Sequence, residues 1–400
     1  MGQSGGPSTV INSSLAGVIA ACKQNKDIGK IYGMKHGIEG FLKEEIIDFD
    51  FADDETIKKL KASPAMALGS CRYKLPEKGE SIKDYEKAKE LFKKYNIGYF
   101  FYIGGNDSMD TILKLHEFFE DSGIHFVGVP KTIDNDLCIT DHTPGFGSAA
   151  KYLATTMSEL ITDTSIYDVK SVTIVEIMGR NSGWLTLAAS MPKILGGDKP
   201  DFTYLPEVPF NEEKFISDVK QKLQTENSII IAVSEGIKDE SGEYVGSSTK
   251  SGATDIFGHK YLSGVGKYME HLVREKIGCK VRSIELNLMQ RAAMHLSSLC
   301  DITEAYDVGF KAVEIAKTES GVMAVILRTG NNPYTYKIGF EKIEKIADKE
   351  KLVPKEWCNL NDLKVKEEIK EYILPLMKGN PELYYNENEM PCHISFIKNK

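Results

Sequence analysis

The sequence predicts an α/β protein made of two doubly wound domains with mainly parallel sheets. Short apolar runs at 99–105, 125–131, 171–180 and 228–236 recur along the chain, and such uninterrupted runs are typical of strands buried on both faces. Segments of helical periodicity lie between them, and in 84–95 the apolar residues recur mostly three positions apart. The chain also has 400 residues, more than one hydrophobic core usually serves.

The composition favours a compact protein that acts on small molecules. Hydrophobic residues make up 42% and charged residues 27% of the chain, which are ordinary values for a globular protein. The net charge of -8 argues against general nucleic-acid binding. No apolar run reaches the length of a membrane span, and the opening "MGQSGGPSTV" shows no secretory pattern. We therefore expect a cytoplasmic protein with neither nucleic-acid nor membrane partners.

The cysteines and histidines show no metal or disulfide pattern. The seven cysteines are far apart and include no C-x-x-C, so we expect free thiols. His36, His116, His142 and His295 lack the spacing of metal ligands. We expect these histidines to have structural roles.

The strand-end motifs suggest where the domains divide. We expect residues 1–140 to form a donor-binding domain with later crossover segments, and 141–310 to form a second α/β domain. Residues 311–400 are rich in lysine and glutamate and carry no strand-end motif. We expect this last region to be an extension of helices and loops that covers the body with charged faces.

The first candidate site is the glycine-rich segment "GQSGGPS" at 2–8. Such a loop normally follows a strand, yet only Met1 precedes it. We expect the natural chain to begin upstream, because losing a central strand would cost more core than a marginally stable domain can spare. A helical pattern begins near Asn12, so Gly5 and Gly6 would present amides and a helix start to an anion, or would form a structural turn.

A second candidate follows the apolar run that begins at Tyr99. In "GGNDSMD" at 104–110, two glycines precede Asn106, Asp107 and Ser108. Their oxygens suit a magnesium-bound phosphate near a helix N-terminus. Alternatively, Asp107 or Ser108 caps the following helix.

The third candidate is "PKTIDNDL" at 130–137, again directly after an apolar run. Asp134 and Asp136 can divide labour, one accepting a hydroxyl proton and the other holding geometry or a metal. Lys131 and Thr132 add a positive charge and a hydroxyl, as a phosphoryl-transfer site requires. The alternative is an aspartate-rich surface turn.

A fourth candidate is "EIMGRNSGWL" at 176–185. Gly179 permits close approach of the backbone, and Arg180 can clamp a phosphate or form an ion pair between domains. Glu235 could bind sugar hydroxyls. The remaining arginines that could contact phosphates are Arg72, Arg282 and Arg291, each of which could equally be an ordinary surface residue.

Taken in order, these segments resemble the motif series of the phosphofructokinase family. The series includes "TPGFGSAAKY" at 143–152, "VSEG" at 233–236 and the "R…LMQR" pattern, and it covers roughly residues 1 to 310. The resemblance implies phosphorylation of the 1-hydroxyl of fructose 6-phosphate in a cleft between the two domains. It also implies a homodimer or homotetramer.

The resemblance further implies residue roles. Asp134 is implied as the proton acceptor, with Lys131, Asp107 and Arg180 as further catalytic residues. The residues implied to face the donor are Gly6, Arg72, Gly105, Asn106, Asp107 and Ser108. Those implied to surround fructose 6-phosphate are Thr132, Ile133, Asp134, Met178, Gly179, Arg180, Glu235, Arg282 and Arg291. Magnesium is the implied cofactor, bound through Asn106 and Asp107 directly or through water.

The resemblance also indicates the donor. Members of the family that use ATP typically have glycine at the positions of Asp107 and Lys131, whereas members that use pyrophosphate resemble this chain. A carboxylate at Asp107 would repel the α-phosphate of a nucleotide, and Lys131 would neutralise charge on the transferred group. We expect pyrophosphate as the donor and a reversible reaction. The alternatives are an ATP-dependent enzyme and a non-catalytic sugar-phosphate sensor.

Three positions depart from the family pattern. Asn106 stands where a metal-binding aspartate is commoner. Leu288 stands where many members have histidine or tyrosine against the sugar phosphate. Ser171 stands where many have an arginine that reaches across a subunit boundary, although Lys170 is adjacent.

Overall fold

The structure is a computed structural model that describes residues 1–77, 79–166, 168–246, 264–347 and 349–397. Within these ranges the strands are β1 (Gly2–Gln3), β2 (Tyr32–Met34), β3 (Ile46–Asp48), β4 (Tyr99–Gly104), β5 (His125–Pro130), β6 (Ser171–Ile177), β7 (Phe202–Tyr204), β8 (Ser228–Ser234), β9 (Lys280–Glu285), β10 (Val322–Asn331) and β11 (Tyr334–Lys342).

The α-helices alternate with these strands through much of the chain. In the described ranges they are α1 (Ile11–Gln24), α2 (Gly37–Leu42), α3 (Asp54–Lys61), α4 (Lys83–Lys94), α5 (Asn106–Phe118), α6 (Phe146–Thr164), α7 (Trp184–Ala189), α8 (Met191–Ile194), α9 (Glu212–Lys222), α10 (Val265–Lys276), α11 (Leu299–Ile315) and α12 (Leu363–Ile373). Short 3-10 helices cover Glu120–Ser122, Asn287–Arg291, Met294–Leu296, Ile343–Lys345, Lys355–Cys358 and Leu374–Met377. None of the described helices is both long and apolar enough to cross a membrane.

The chain divides into two compact α/β units. The first unit comprises Met1–Ser148, Arg291–Glu350 and Leu376–Lys400, and the second comprises Ala149–Gln290 and Lys351–Pro375. The division differs from the expected one, because the chain returns to the first unit after residue 290. Residues beyond 310 are shared between the units and do not form a separate extension.

The sheet of the first unit has the strand order β11-β10-β5-β4-β1-β2-β3. The inner pairs are parallel, whereas β3 and β11 run antiparallel to their neighbours at the two edges. The predicted α/β class with a mainly parallel sheet is therefore confirmed here. The apolar runs that predicted strands at 99–105 and 125–131 are β4 and β5.

Both faces of this sheet are buried, as the uninterrupted apolar runs predict. In β4, Phe101 and Ile103 pack on one face with α1, α3 and α11. Phe100 and Tyr102 pack on the other face with α2, α4 and α5. Burying each such side chain stabilises the fold by about 1.5–3 kcal/mol. The parallel pairing of β1, β4 and β5 in this packed sheet places their carboxyl ends side by side.

The glycine-rich loop follows a short strand after all. Gly2 and Gln3 form β1, which pairs with Tyr102 and Ile103 of β4 and with Met34 of β2. A cavity of about 700 Å³ is lined by Met1 and by residues of β2, β4 and the segments that precede those two strands. The central position of the sheet is thus occupied where it meets the loop.

Helices α1 and α11 cross with their backbones in close contact. A Cβ atom at Gly17 would lie 2.1 Å from the carbonyl oxygen of Tyr306, and one at Gly309 would lie 2.1 Å from that of Ser14. Real side chains do not approach backbone oxygens so closely, so both positions require glycine. This crossing packs α1, which follows the glycine loop, directly against α11.

The C-terminal third of the first unit corrects the sequence-based expectation. Residues 322–342 form the hairpin β10–β11 instead of helices and loops, and Val322 of β10 pairs in parallel with Val127 of β5. The first half of β10 is buried, whereas β11 alternates half-buried and exposed residues. The polar composition of β11 reflects its position at a sheet edge.

The second unit contains a parallel sheet of order β7-β8-β6-β9. The apolar runs that predicted strands at 171–180 and 228–236 are β6 and β8, which lie side by side in the sheet. Its core includes residues of both strands with those of α9 and α10. Trp184, Trp357 and Tyr372 pack together and attach residues 351–375 to this unit.

Candidate active site

In the first unit, the glycine loop and the end of β5 meet at Lys131. The Lys131 Nζ atom donates a hydrogen bond to the Gly6 carbonyl at 2.5 Å, and its backbone N–H donates to the Gly104 carbonyl at 3.0 Å. Gly5 adopts a φ of 80° beside this ammonium group. One residue therefore joins the ends of three neighbouring strands, β1, β4 and β5.

Burial lowers the pKa of the Lys131 ammonium to about 8, and Arg291 acts in the same direction. The carboxylates of Asp134, Asp136 and Asp107 partly oppose this shift. The side chain is 4% exposed. Lys131 thus provides a desolvated positive charge, which interacts more strongly with a phosphate than an exposed one would.

The start of α5 forms a second wall of this site. Gly105 precedes the helix and no side chain caps it, so Asp107 and Ser108 do not have the capping role considered from the sequence. A Cβ atom at Gly104 would lie 1.9 Å from Ser108 Oγ, so the turn requires glycine there. An uncapped helix start presents amide donors and a positive dipole end to an anion.

Asn106 and Asp107 differ in their partners at this helix start. Asn106 Oδ1 is buried and has no hydrogen-bond partner among the described residues. Asp107 is 44% exposed and forms an ion pair with Lys74, with 2.9 Å between Lys74 Nζ and Asp107 Oδ1. Lys74 is a site residue that the sequence analysis missed, because it lies far from residue 107 in the chain.

The loop after Lys131 holds the two predicted aspartates. Thr132 Oγ1 accepts a hydrogen bond from the Asp134 backbone N–H at 3.1 Å, and Asn135 adopts a left-handed φ of 55°. Burial and the neighbouring carboxylate of Asp134 raise the pKa of Asp136 to about 7. A carboxyl group with a raised pKa beside a second carboxyl group suits acid–base chemistry on a hydroxyl group. The side chain of Ile133, which precedes Asp134, is buried.

Arg291 and Arg72 occupy different positions in the first unit. Arg291 Nη1 would lie 3.1 Å from a Cβ atom at Gly6, so it belongs to the Lys131 cluster. Arg72 is exposed. Arg72 lies in a loop with two attachments. Ser70 Oγ donates a hydrogen bond to the Gly5 carbonyl at 2.8 Å, and Lys74 forms the ion pair with Asp107.

In the second unit, the ends of β6 and β8 form a separate cluster. Gly179 has a φ of 133°, and its N–H donates to Glu235 Oε1 at 3.3 Å. The Met178 N–H donates to Gln290 Oε1 at 3.3 Å. Arg180 Nε is buried and without a hydrogen-bond partner in the described part of the chain. A buried guanidinium N–H without a partner, beside the ends of β6 and β8, indicates a site that accepts an anion or a sugar oxygen.

The structure does not bring Arg282 to this cluster. Arg282 pairs with Thr173 in the β6–β9 ladder, so about 17 Å of strand separates it from Met178. It is exposed, on the edge strand β9. Gln290, which contacts the cluster through Met178, was not predicted, because a lone glutamine carries no motif.

The donor set for a magnesium ion is small but chemically suitable. In the described ranges no group of three or more His, Cys, Asp or Glu side chains is arranged to hold a metal. The Asn106 Oδ1 atom without a described partner and the carboxylate of Asp107 belong to consecutive residues at the helix start. Magnesium usually keeps several waters and takes one or two protein oxygens together with substrate phosphates, so these residues fit it.

Comparisons with known proteins show the family of the chain. A family model described as phosphofructokinase matches residues 1–316. A protein of Halomonas elongata named pyrophosphate–fructose 6-phosphate 1-phosphotransferase is 38% identical over 94% of this chain and 91% of its own length. A protein of the same name from Xanthomonas campestris pv. campestris is 38% identical over 99% of this chain and 95% of its own.

A solved structure is similar along the whole chain. It is described as the pyrophosphate-dependent phosphofructokinase of Marinobacter aquaeolei, with a TM-score of 0.85 and 34% sequence identity. The similarity covers 100% of this chain and 96% of that one.

Proposed function

The chain belongs to the phosphofructokinase family, and we propose that it transfers a phosphoryl group from pyrophosphate to the 1-hydroxyl of fructose 6-phosphate. The observation that carries the proposal is the buried Lys131 between the glycine loop and the Asp134 loop. Both named relatives use this donor. The products are fructose 1,6-bisphosphate and phosphate, and the reaction is reversible.

We assign the acceptance of the hydroxyl proton and the stabilisation of negative charge on the phosphates to different residues. As the sugar 1-oxygen bonds to the transferred phosphorus, its proton passes to the Asp134 carboxylate. The bond between that phosphorus and the bridging oxygen breaks, and the leaving phosphate carries the electron pair. The ammonium of Lys131 stabilises this charge, which is greatest in the transition state. Arg291, in the same cluster, is proposed to bind fructose 6-phosphate.

The donor is proposed to bind at the start of α5. Gly6, Gly105 and Ser108 would supply backbone and small polar groups there, and the exposed Arg72 would add a positive charge. Asp107, held by Lys74, puts a negative charge where the additional phosphate of a nucleotide would lie. Pyrophosphate has no such phosphate and is therefore favoured.

Magnesium is proposed as the cofactor of this site. Asn106 and Asp107 would hold it together with the donor phosphates, directly or through water. It would supply positive charge to the phosphate oxygens. The acid–base and positioning roles belong to the residues named above.

The residues proposed to bind fructose 6-phosphate fall into two sets, one in each unit. In the first unit these are Thr132, Ile133 and Asp134. In the second unit Arg180 and Glu235 offer a guanidinium and a carboxylate, and the φ of Gly179 exposes the backbone between them. A cytoplasmic location is proposed with these substrates.

The deciding experiment compares pyrophosphate with ATP as donor in the presence of magnesium. We expect fructose 6-phosphate turnover with pyrophosphate and at most about one hundredth of it with ATP. Asp107→Gly should lower kcat/KM for pyrophosphate and raise kcat/KM for ATP by about tenfold or more, because it removes the repulsion. Steady-state kinetics with each donor would measure both effects.

The matched control is Asp121→Asn, at an exposed aspartate in the 3-10 helix Glu120–Ser122 and outside the cluster. It should leave the donor preference unchanged. Turnover with ATP alone would refute pyrophosphate as the donor while keeping the family. Absence of turnover with both donors would favour the sugar-phosphate sensor.

We propose that the protein is a homodimer or homotetramer that uses the β9 face. Arg282 is exposed on this edge strand, and Leu288 and Met289 beyond it are 54% and 57% exposed. Neighbouring exposed apolar side chains favour an interface, and Arg282 would then reach substrate on the adjoining copy. Sedimentation velocity should give a dimer or larger species, and Met289→Asp should shift it toward the monomer with loss of turnover. A fully active monomer would contradict this proposal.

A further inference from the structure

A buried ionic cluster lies in the first unit, outside the residues assigned to the reaction. The His142 imidazole is fully buried, with Nδ1 2.8 Å from Asp141 Oδ2 and Nε2 2.8 Å from Glu304 Oε2. Arg328 closes one end, with Nη2 3.0 Å from Asp141 Oδ2. The Tyr334 hydroxyl donates to Glu304 at the other end.

The charges in this cluster compensate one another. Burial alone would lower the pKa of His142, but Glu304 and Asp141 outweigh it and raise that pKa to about 9. Burial would raise the pKa of Asp141, but His142 and Arg328 outweigh it and hold that pKa at about 2. The His142 imidazole is therefore protonated at neutral pH and lies between the carboxylates of Asp141 and Glu304. Such a cluster is costly to break at one member, because it leaves a buried charge unpaired.

The cluster holds the segment that supports the Asp134 loop. Directly after His142, Thr143 donates from its N–H to Asn135 Oδ1 at 3.1 Å and from its Oγ1 to the Thr132 carbonyl at 2.8 Å. The Thr132 N–H in turn donates to the Pro144 carbonyl at 3.2 Å. The two residues flanking Ile133 and Asp134 are thus both bonded to residues 143–144.

Helix α11 fixes the same segment from its other side. Asp301 accepts hydrogen bonds from the N–H groups of Gly145 at 2.9 Å and Ser148 at 2.8 Å. Glu304 lies three residues later on the same helix face and holds His142. Residues 142–148 are therefore attached to one rigid helix at both ends.

We propose that His142 is a positioning residue for phosphoryl transfer: its imidazolium fixes residues 143–145 and, through them, the backbone that aims Asp134. The inference rests on the proposed function, because it assumes that Asp134 acts as the base. A general base displaced by about 1 Å can lose about 10²-fold in rate. Substrate binding by other residues would be little affected, so the effect should appear in kcat.

The test replaces His142 with glutamine in the full chain. We expect kcat to fall about tenfold to 10²-fold, with each KM changed by less than about threefold. Hydrogen exchange of the amides at 132–136, measured without substrates, should accelerate while that of α4 stays unchanged. The matched control is His116→Gln, a half-buried histidine of the same unit that bonds Ser320. It should change neither quantity.

Tyr334→Phe is the second variant, since it removes one hydrogen bond to Glu304 and keeps the ring. It should produce the same pattern at about threefold in kcat even where His142→Gln does not fold. Unchanged kcat per folded molecule, or exchange that accelerates uniformly across the first unit, would overturn the proposal. Failure of the proposed function would show differently, as no turnover in the unmodified protein, while the exchange measurements would still decide whether the cluster orders the loop.

Discussion

Asp134→Asn should lower kcat for phosphoryl transfer by about 10²–10⁴-fold, the contribution typical of a general base. The amide occupies the same space but cannot accept the proton of the sugar 1-hydroxyl. The hydrogen bond from the Asp134 N–H to Thr132 involves only its backbone, so the loop should keep its conformation. Stopped-time assays of fructose 1,6-bisphosphate formation would measure the loss.

Two further variants make this result specific. Asp54→Asn, in the first turn of α3, should leave turnover unchanged. Asp136→Asn should lower kcat much less than the change at 134, because we assign Asp136 no proton transfer and only an electrostatic effect on Asp134. A larger loss at 136 than at 134 would exchange the roles of the two carboxylates.

Lys131→Met should reduce kcat by about 10²–10³-fold, as loss of one preorganised charge on the transferred group commonly does. The methionine fills a similar volume in a position that is almost completely buried, so the folded state should persist. It cannot donate to the Gly6 carbonyl or neutralise the leaving phosphate. A loss confined to the KM of pyrophosphate would mean that Lys131 only binds the donor.

The same residue should set the alkaline limb of the pH profile. Lys131 is protonated below its pKa of about 8 and loses its charge as pH rises through that value. We therefore expect kcat/KM for pyrophosphate, which reports the free enzyme, to decline above about pH 8. Lys131→Arg should move this decline to higher pH, because arginine stays protonated. A profile that the substitution leaves unmoved would assign the limb to another group.

Two central strands of the first unit's sheet, β4 and β5, could be predicted because they are buried on both faces. Their short uninterrupted apolar runs are typical of such strands. Strands β10 and β11 were not predicted, since the pairing of Val322 with Val127 joins residues far apart in the sequence. Strand β11 is also partly exposed along its length, and its charged residues therefore resembled those of a surface segment.

The candidate site divides in the same way. Lys131 and Asp134 follow a strand directly, so their neighbourhood could be inferred from the chain. Lys74, by contrast, reaches Asp107 from a loop with no periodic pattern. His142 was expected to be a structural histidine, and only the structure reveals that its partner Glu304 comes from α11. Contacts between distant segments carry no local signal that a single sequence can display.

The glycine crossing of α1 and α11 has a mechanical consequence for the site. Gly17 and Gly309 bring main chain against main chain, and main chain cannot yield by rotamer changes as side chains do. Helices α1 and α11 should therefore move as one rigid unit. Heat or denaturant should release both together, so the glycine loop and the Asp134 loop should lose protection from exchange as a single cooperative unit.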